Sequence, residues 1–268
     1  MDLAAALFLL TCLYPLGQAF RANRRTSLNH AMAWAGMAWL GWSGFLACAI
    51  FGPERFAVAL SYLALVTTGC AGMAVLGARR PGVIGWNFVI IGLLAVLLLP
   101  LAEGWGDLRL SLVRIVFLAV TLAVVPFNYL PTRMGLAALA LAVGCGLELY
   151  CLGGHVDLAM DSAPDWIAGC GRLFVAVSPW VAWGLMKGKP IPVSEFDHIW
   201  LDFRDRFGMT WSLRLREQFN RAAANAGWQS RLGWSRLQGP VEEVAQPDKL
   251  ETLKALLKRF GIGPSDGI

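Results

Sequence analysis

The sequence predicts an all-α integral membrane protein: seven transmembrane helices, N-terminus out and C-terminus in, followed by a small, mainly helical cytoplasmic extension. Three observations predict it. Apolar stretches of roughly 18–25 residues, each long enough to cross a hydrocarbon core about 30 Å thick, recur seven times. Charge is scarce, at 15% of the 268 residues against about 25% in a soluble domain, while 57% are hydrophobic and the mean hydropathy is +0.55. The scarcity is also uneven, because residues 1–186 hold 18 charged side chains and residues 187–268 hold 23. The chain therefore divides into a bundle over 1–188 and a water-facing extension over 189–268.

The first stretch, near 3–20, follows Met1-Asp2 with no positive leader and no clear cleavage site, so it reads as a retained helix and not a signal peptide. Its loss would leave six spans and an inside N-terminus. The other stretches lie near 28–52, 56–77, 82–102, 110–128, 135–153 and 164–186. Arg21, Arg24, Arg25, Arg79, Arg80, Arg133, Lys187 and Lys189 fall in loops on one side, against Arg55 and Arg109 on the other. Cytoplasmic loops keep the positive charge, which gives the N-out, C-in orientation. The same rule explains the formal net charge of +5 without a nucleic-acid partner.

Within the spans, small residues such as Gly69-Cys70-Ala71-Gly72 read as close helix packing. The six cysteines lie in apolar segments with no C-x-x-C pair and read as small hydrophobes. Pro126, Asn128 and Pro131 together suggest that helix five ends irregularly. Trp105 and Trp166 fit an interfacial belt, whereas Trp34, Trp39 and Trp42 read as helix packing.

Three charges remain that loops cannot explain: Arg114, Glu148 and Arg172. Each costs about 2.5–3.5 kcal/mol at a helix centre unless paired or wetted. At 1.5 Å per residue, Arg114 and Glu148 sit about 7 Å and Arg172 about 12 Å from the outer boundary. Gly-Cys-Gly triplets at 144–146 and 169–171 match in depth on the hairpin of helices six and seven. They predict a close crossing flanked by a Glu148–Arg172 ion pair, with Arg114 joining it or meeting carbonyls or water. Two readings compete, a structural clasp and an outward-opening chamber whose two arginines leave a net positive charge for an anionic substrate. A weaker candidate is the outer loop, where His155, Asp157, Asp161 and Asp165 could supply oxygen ligands to a divalent cation.

The inventory excludes several mechanisms. No histidine lies mid-membrane with a partner for a bis-histidine haem, and no lysine occurs in residues 1–186 to hold retinal as a Schiff base. Walker, zincin and G-x-S-x-G motifs are absent from the sequence. Neither a cofactor nor a metal centre is predicted.

In the extension, Ser194 caps a helix whose Phe196, Ile199, Trp200, Phe203 and Phe207 share one face. Gly208 breaks it. A second helix over 209–226 carries Trp211, Leu215, Phe219, Ala222 and Ala226, with Gly227 as its stop. Asp202 with Arg206 and Glu217 with Arg221 form i,i+4 pairs on wet sides. Residues 228–234 alternate as a short strand, and a last helix follows a capping box at Asp248 and Glu251. These helices are expected to pack together or onto the bundle's cytoplasmic ends.

The functional expectation that leads is a non-catalytic membrane protein, an accessory, scaffold or sensor-like subunit coupling the bundle to its tail. A transporter built on Arg114, Glu148 and Arg172 is the alternative, and an enzyme acting on a lipid-borne anionic substrate the third. The expected partners are the lipid bilayer and a cytoplasmic protein or a second copy of the chain. The expected location is a bacterial cytoplasmic membrane.

Overall fold

A computed structural model of the chain describes residues 1–79, 83–104, 108, 110–153, 164–188, 194–240 and 247–262, with backbone only at Glu54 and Val83. Seven helical stretches are long and apolar enough to cross a membrane. The first is the pair α1 (Asp2–Thr11) and α2 (Leu13–Asn23), interrupted at Cys12. Pro15 is the reason: it has no N–H to give the carbonyl of Thr11 and its ring crowds that position. The others are α3 (Asn29–Phe51), α4 (Glu54–Leu76), α5 (Val83–Glu103), α6 (Leu112–Tyr129), α7 (Gly135–Gly153) and α8 (Asp165–Lys187).

α4 is the central helix. Its apolar window is 61% buried, against 22–39% for the other six spans, and it packs on α3, α5, α6 and α7. The tryptophans of α3 serve this packing, since Trp42 Nε1 donates to Thr68 Oγ1 on α4 at 2.9 Å and Trp39 Nε1 to the Leu9 carbonyl on α1 at 2.8 Å. Free thiols at Cys12, Cys70 and Cys145 are buried among the helices. The irregular end expected of helix five is not found. α6 runs through Pro126 to Tyr129 and closes with Leu130 N–H donating to the Pro126 carbonyl at 2.8 Å.

The C-terminal segment folds against one end of the bundle. Its long helix α9 (Glu195–Asn225) is capped by Ser194, whose hydroxyl accepts from Asp197 N–H at 3.1 Å. A short hairpin of β1 (Arg231–Leu232) and β2 (Leu237–Gln238) follows, antiparallel, so the expected strand does have a partner. The last helix, α10 (Pro247–Leu257), ends in a 3-10 turn at Lys258–Phe260. It begins at Pro247, so Asp248 lies in its first turn and not at the cap. The second half of α9 stops in a Schellman motif: Gly227 has φ 72°, Trp228 N–H donates to the Ala223 carbonyl and Gly227 N–H to Ala224. Ala223, not Ala226, is the buried alanine there.

Aromatic side chains build this segment's core. The rings of Phe203 and Phe207 stack at 4.7 Å, and Phe260 meets Phe203, Phe207 and Trp211 edge-on at 4.9–5.3 Å. Several charges of this segment are buried and structural. Asp197 is buried and accepts from Leu237 N–H at 2.9 Å, while Asp205 is buried beneath Arg204 and accepts from Arg133 N–H. The pairs Arg206–Asp202 and Arg221–Glu217 form at 2.9 and 2.7 Å. Burial pushes the Asp202 carboxyl above the usual carboxylate range, against the opposing pull of Arg206.

Docking to the bundle centres on Asn128 near the end of α6. Its Oδ1 accepts from Thr210 N–H at 3.0 Å and its Nδ2 donates to the Phe207 carbonyl at 3.4 Å, so one amide grips the backbone on both sides of Gly208. Gly208 adopts φ 76°, ψ −174°, a region open essentially to glycine alone, and an added Cβ there would strike Asn128. Gly208→Ala is expected to cost about 1–3 kcal/mol and to loosen the C-terminal segment, read as earlier tryptic release of that segment in detergent. Gly184→Ala, within α8, whose Cβ would meet nothing within 4 Å and whose backbone is helical, should leave release unchanged. A second expectation concerns acid. Because the folded Asp202 carboxyl is raised above its ordinary 3.8, its contribution to stability is present at low pH and lost as pH rises through the folded value. Asp202→Asn should remove that slope from the melting temperature measured against pH.

Candidate functional site

The close crossing of α7 and α8 rests on Gly144 and Gly171. A Cβ on Gly144 would lie 2.8 Å from the Gly171 carbonyl oxygen, and one on Gly171 would lie 3.1 Å from that of Gly144. Only the first glycine of one triplet and the last of the other carry the contact. Gly146 faces open space, and Gly169 makes room for Met1, whose Cβ and Sδ would be 2.9 Å from an added methyl. The absence of side chains thus brings two helix backbones together and seats the start of α1 beside them.

Arg172 lies at this crossing. Its Nε donates to Glu148 Oε1 at 3.0 Å, its Nη1 meets Asp2 Oδ1 at 2.6 Å, and its guanidinium carbon stands 4.9 Å from the Phe45 ring centroid. One cation therefore ties α8 to α7 and α1, with an aromatic face from α3 covering it. The side chains are 3% exposed at Glu148, 17% at Arg172 and 34% at Asp2, so the pair is closed at Glu148 and opens only towards Asp2. Trp180 and Trp183 of α8 extend the contact to Tyr14 of α2 by edge and stacked ring packing.

Arg114 does not join this cluster. It forms a two-pronged pair with Glu103, Nη1 to Oε2 at 2.8 Å and Nη2 to Oε1 at 3.0 Å, across the turn from α5 to α6. Its backbone N–H is held by the cap residue Ser111 at 3.4 Å. The expected net positive chamber is therefore corrected, because two carboxylates surround Arg172 and the second arginine is balanced elsewhere. Asp2 and Glu103 are the residues that sequence reasoning missed. The signal was present, since Glu103 ends one span eleven positions before Arg114 in the next.

Of the outer acidic candidates, His155, Asp157 and Asp161 lie outside the described residues. Asp165 sits exposed in the first turn of α8. Among the described residues, no group of three or more His, Cys, Asp or Glu side chains could hold a metal ion. The arrangement is suited to fixing helix register, because it supplies paired charges that tie α8 to α7 and α1. No family model, curated protein or solved structure matches the chain, so the geometry stands alone.

The triad predicts an asymmetric mutational pattern. Arg172→Met leaves Glu148 buried without a cation and is expected to destabilise by about 3–5 kcal/mol. Adding Glu148→Gln should recover much of that loss, whereas Glu148→Gln alone should be mild because Asp2 still balances Arg172. Unfolding in mixed micelles measures all three variants, and strictly additive losses would contradict the coupling.

Proposed function

We propose that this chain is a non-catalytic multi-pass membrane protein, a scaffold or accessory subunit whose bundle holds the C-terminal segment in a fixed pose for a cytoplasmic protein partner. The observation that carries this reading is the closure of the intramembrane charges upon themselves: Arg172 is shared between Glu148 and Asp2, and Arg114 is neutralised by Glu103. A transporter needs a charged group that a solute can reach and exchange with. Here the buried carboxylate is covered and its cation is already doubly paired. A lipid-directed enzyme needs a nucleophile or general base, and the carboxylates of Asp2, Glu103 and Glu148 are each already paired with an arginine.

Orientation follows from the loop charges. Arg21, Arg24, Arg25, Arg79, Arg133 and Lys187 belong to the loops and helix ends on the side where the C-terminal segment docks, which supports an N-out, C-in arrangement in a bacterial cytoplasmic membrane. The docked pose supports the scaffold role, because polar contacts to the ends of α4 and α6 fix the outer faces of α9 and the hairpin.

Two measurements test the reading. A fluorescent reporter that matures only in the cytoplasm is expected to light up when fused to the C-terminus, and a periplasmic phosphatase there to stay inactive; the reverse result overturns the orientation. Purification from native membranes is expected to bring down a stoichiometric protein partner that is lost on removal of residues 195–262. A protein that instead runs alone and moves a solute into proteoliposomes, with flux abolished by Arg172→Gln, would replace the scaffold with a transporter.

A further inference from the structure

Three guanidinium groups that the bundle's own pairs do not use converge where the C-terminal segment meets the membrane helices. Arg79, Arg214 and Arg259 line one small open cleft, and among the described residues no carboxylate lines it with them. All three are exposed, and none makes an ion pair with any described residue. Arg79 lies three residues beyond Leu76, the last residue of α4, so the chain holds it within about 10 Å of the helix end, at the level of lipid headgroups. Arg214 comes from the second half of α9 and Arg259 from the turn that ends α10.

Helix ends account for part of this charge. Arg79 and Arg259 follow helix C-termini, where the dipole favours a cation by about 0.3–1 kcal/mol each. Arg214 sits mid-helix and has no such reason to be there. Its guanidinium carbon is 5.1 Å from the Trp211 ring centroid, a contact that covers one face and leaves the N–H edge free to donate. Like charges gathered in one cleft repel unless an anion lies among them.

The floor of the cleft is apolar. Trp211, Leu215 and Phe260 are buried beneath the arginines, and Gln218 adds an amide at the rim. Trp211 is fixed in turn by its Nε1, which donates to the Val75 carbonyl in the last turn of α4 at 3.0 Å. A cationic rim over an apolar floor, at headgroup depth, matches a phosphodiester followed by a glycerol backbone better than it matches a free inorganic anion.

We propose that this cleft binds the phosphate of an anionic phospholipid, which then bridges the end of α4 and the C-terminal segment. The site is independent of which way the protein spans the membrane and of the scaffold role.

The test uses the full-length protein in an uncharged detergent, with phosphatidylglycerol, phosphatidylcholine or inorganic phosphate added. Lipid retained is read by native mass spectrometry and stability by melting temperature. Phosphatidylglycerol is expected to be retained and to raise the melting temperature, with phosphatidylcholine and inorganic phosphate doing neither. The combined variant Arg79→Gln, Arg214→Gln and Arg259→Gln should weaken retention about tenfold or more, whereas Arg231→Gln, at an exposed position of β1, should not. Should the combined variant fail to fold, the wild-type protein still decides: retention must fall as salt rises towards 1 M, where the screening length is about 3 Å. Retention indifferent to salt, equal retention of phosphatidylcholine, or unchanged retention by the folded variant would each overturn the site. Equal protection by inorganic phosphate would overturn the lipid as its occupant.

Discussion

Every helix that ends leaves its last carbonyls without donors from its own chain, and at one end of this bundle donors arrive from elsewhere in the sequence. Trp211 donates to Val75 in the last turn of α4, Ser27 to Ala78 just beyond it, and Arg133 to Leu185 in the last turn of α8. Trp234 reaches Pro131, after α6. The position of the C-terminal segment depends on this demand. Its aromatic core explains why it is compact, but only polar donors with fixed geometry explain why it sits where it does. Indole N–H groups suit the task because each brings one donor on a large apolar body.

Charge inside the bundle follows the same logic of compensation. A single guanidinium with two carboxylates is over-provided by one negative charge, and the carboxylate at Asp2 is the more exposed of the two, where water shares its load. The buried pair need not add much net stability, since desolvation consumes most of the attraction. What it adds is register: α7 and α8 touch closely through glycines, a surface without side chains that would otherwise allow sliding. Arg172 pins that smooth contact, and α1 is recruited to the same point.

Much of this was legible in the sequence and some of it was not, for reasons that differ by residue. The spans follow from hydrocarbon length alone, and the structure departs from them by little beyond the break at Cys12. The Glu148–Arg172 contact was readable because opposite charges about 5 Å apart in depth, flanking matched glycine triplets on one hairpin, have few other partners. Arg114 was misplaced because depth was counted along its own helix, while its partner stood at the end of the preceding one. In the C-terminal segment the apolar period located α9 and its break. Period cannot tell a solvated Asp from one that holds a distant backbone N–H, so the burial of Asp197, Arg204 and Asp205 left no trace in it. Arg79, Arg214 and Arg259 left no local pattern, because only the docked fold brings them together.

The contact between Ser27 N–H and the Phe260 carbonyl joins the first loop of the bundle to the last turn of the C-terminal segment. More than two hundred residues of synthesis separate these two groups, and all seven long apolar helices are made before the second one emerges. The loop at Ser27 therefore waits, while the intervening residues are made, with a donor that its final partner cannot yet reach. Water at the membrane surface can hold that donor in the interval. Connectivity thus imposes an order on this contact: the bundle's loop is made first, with its donor wet, and the bond closes only once Phe260 has been made.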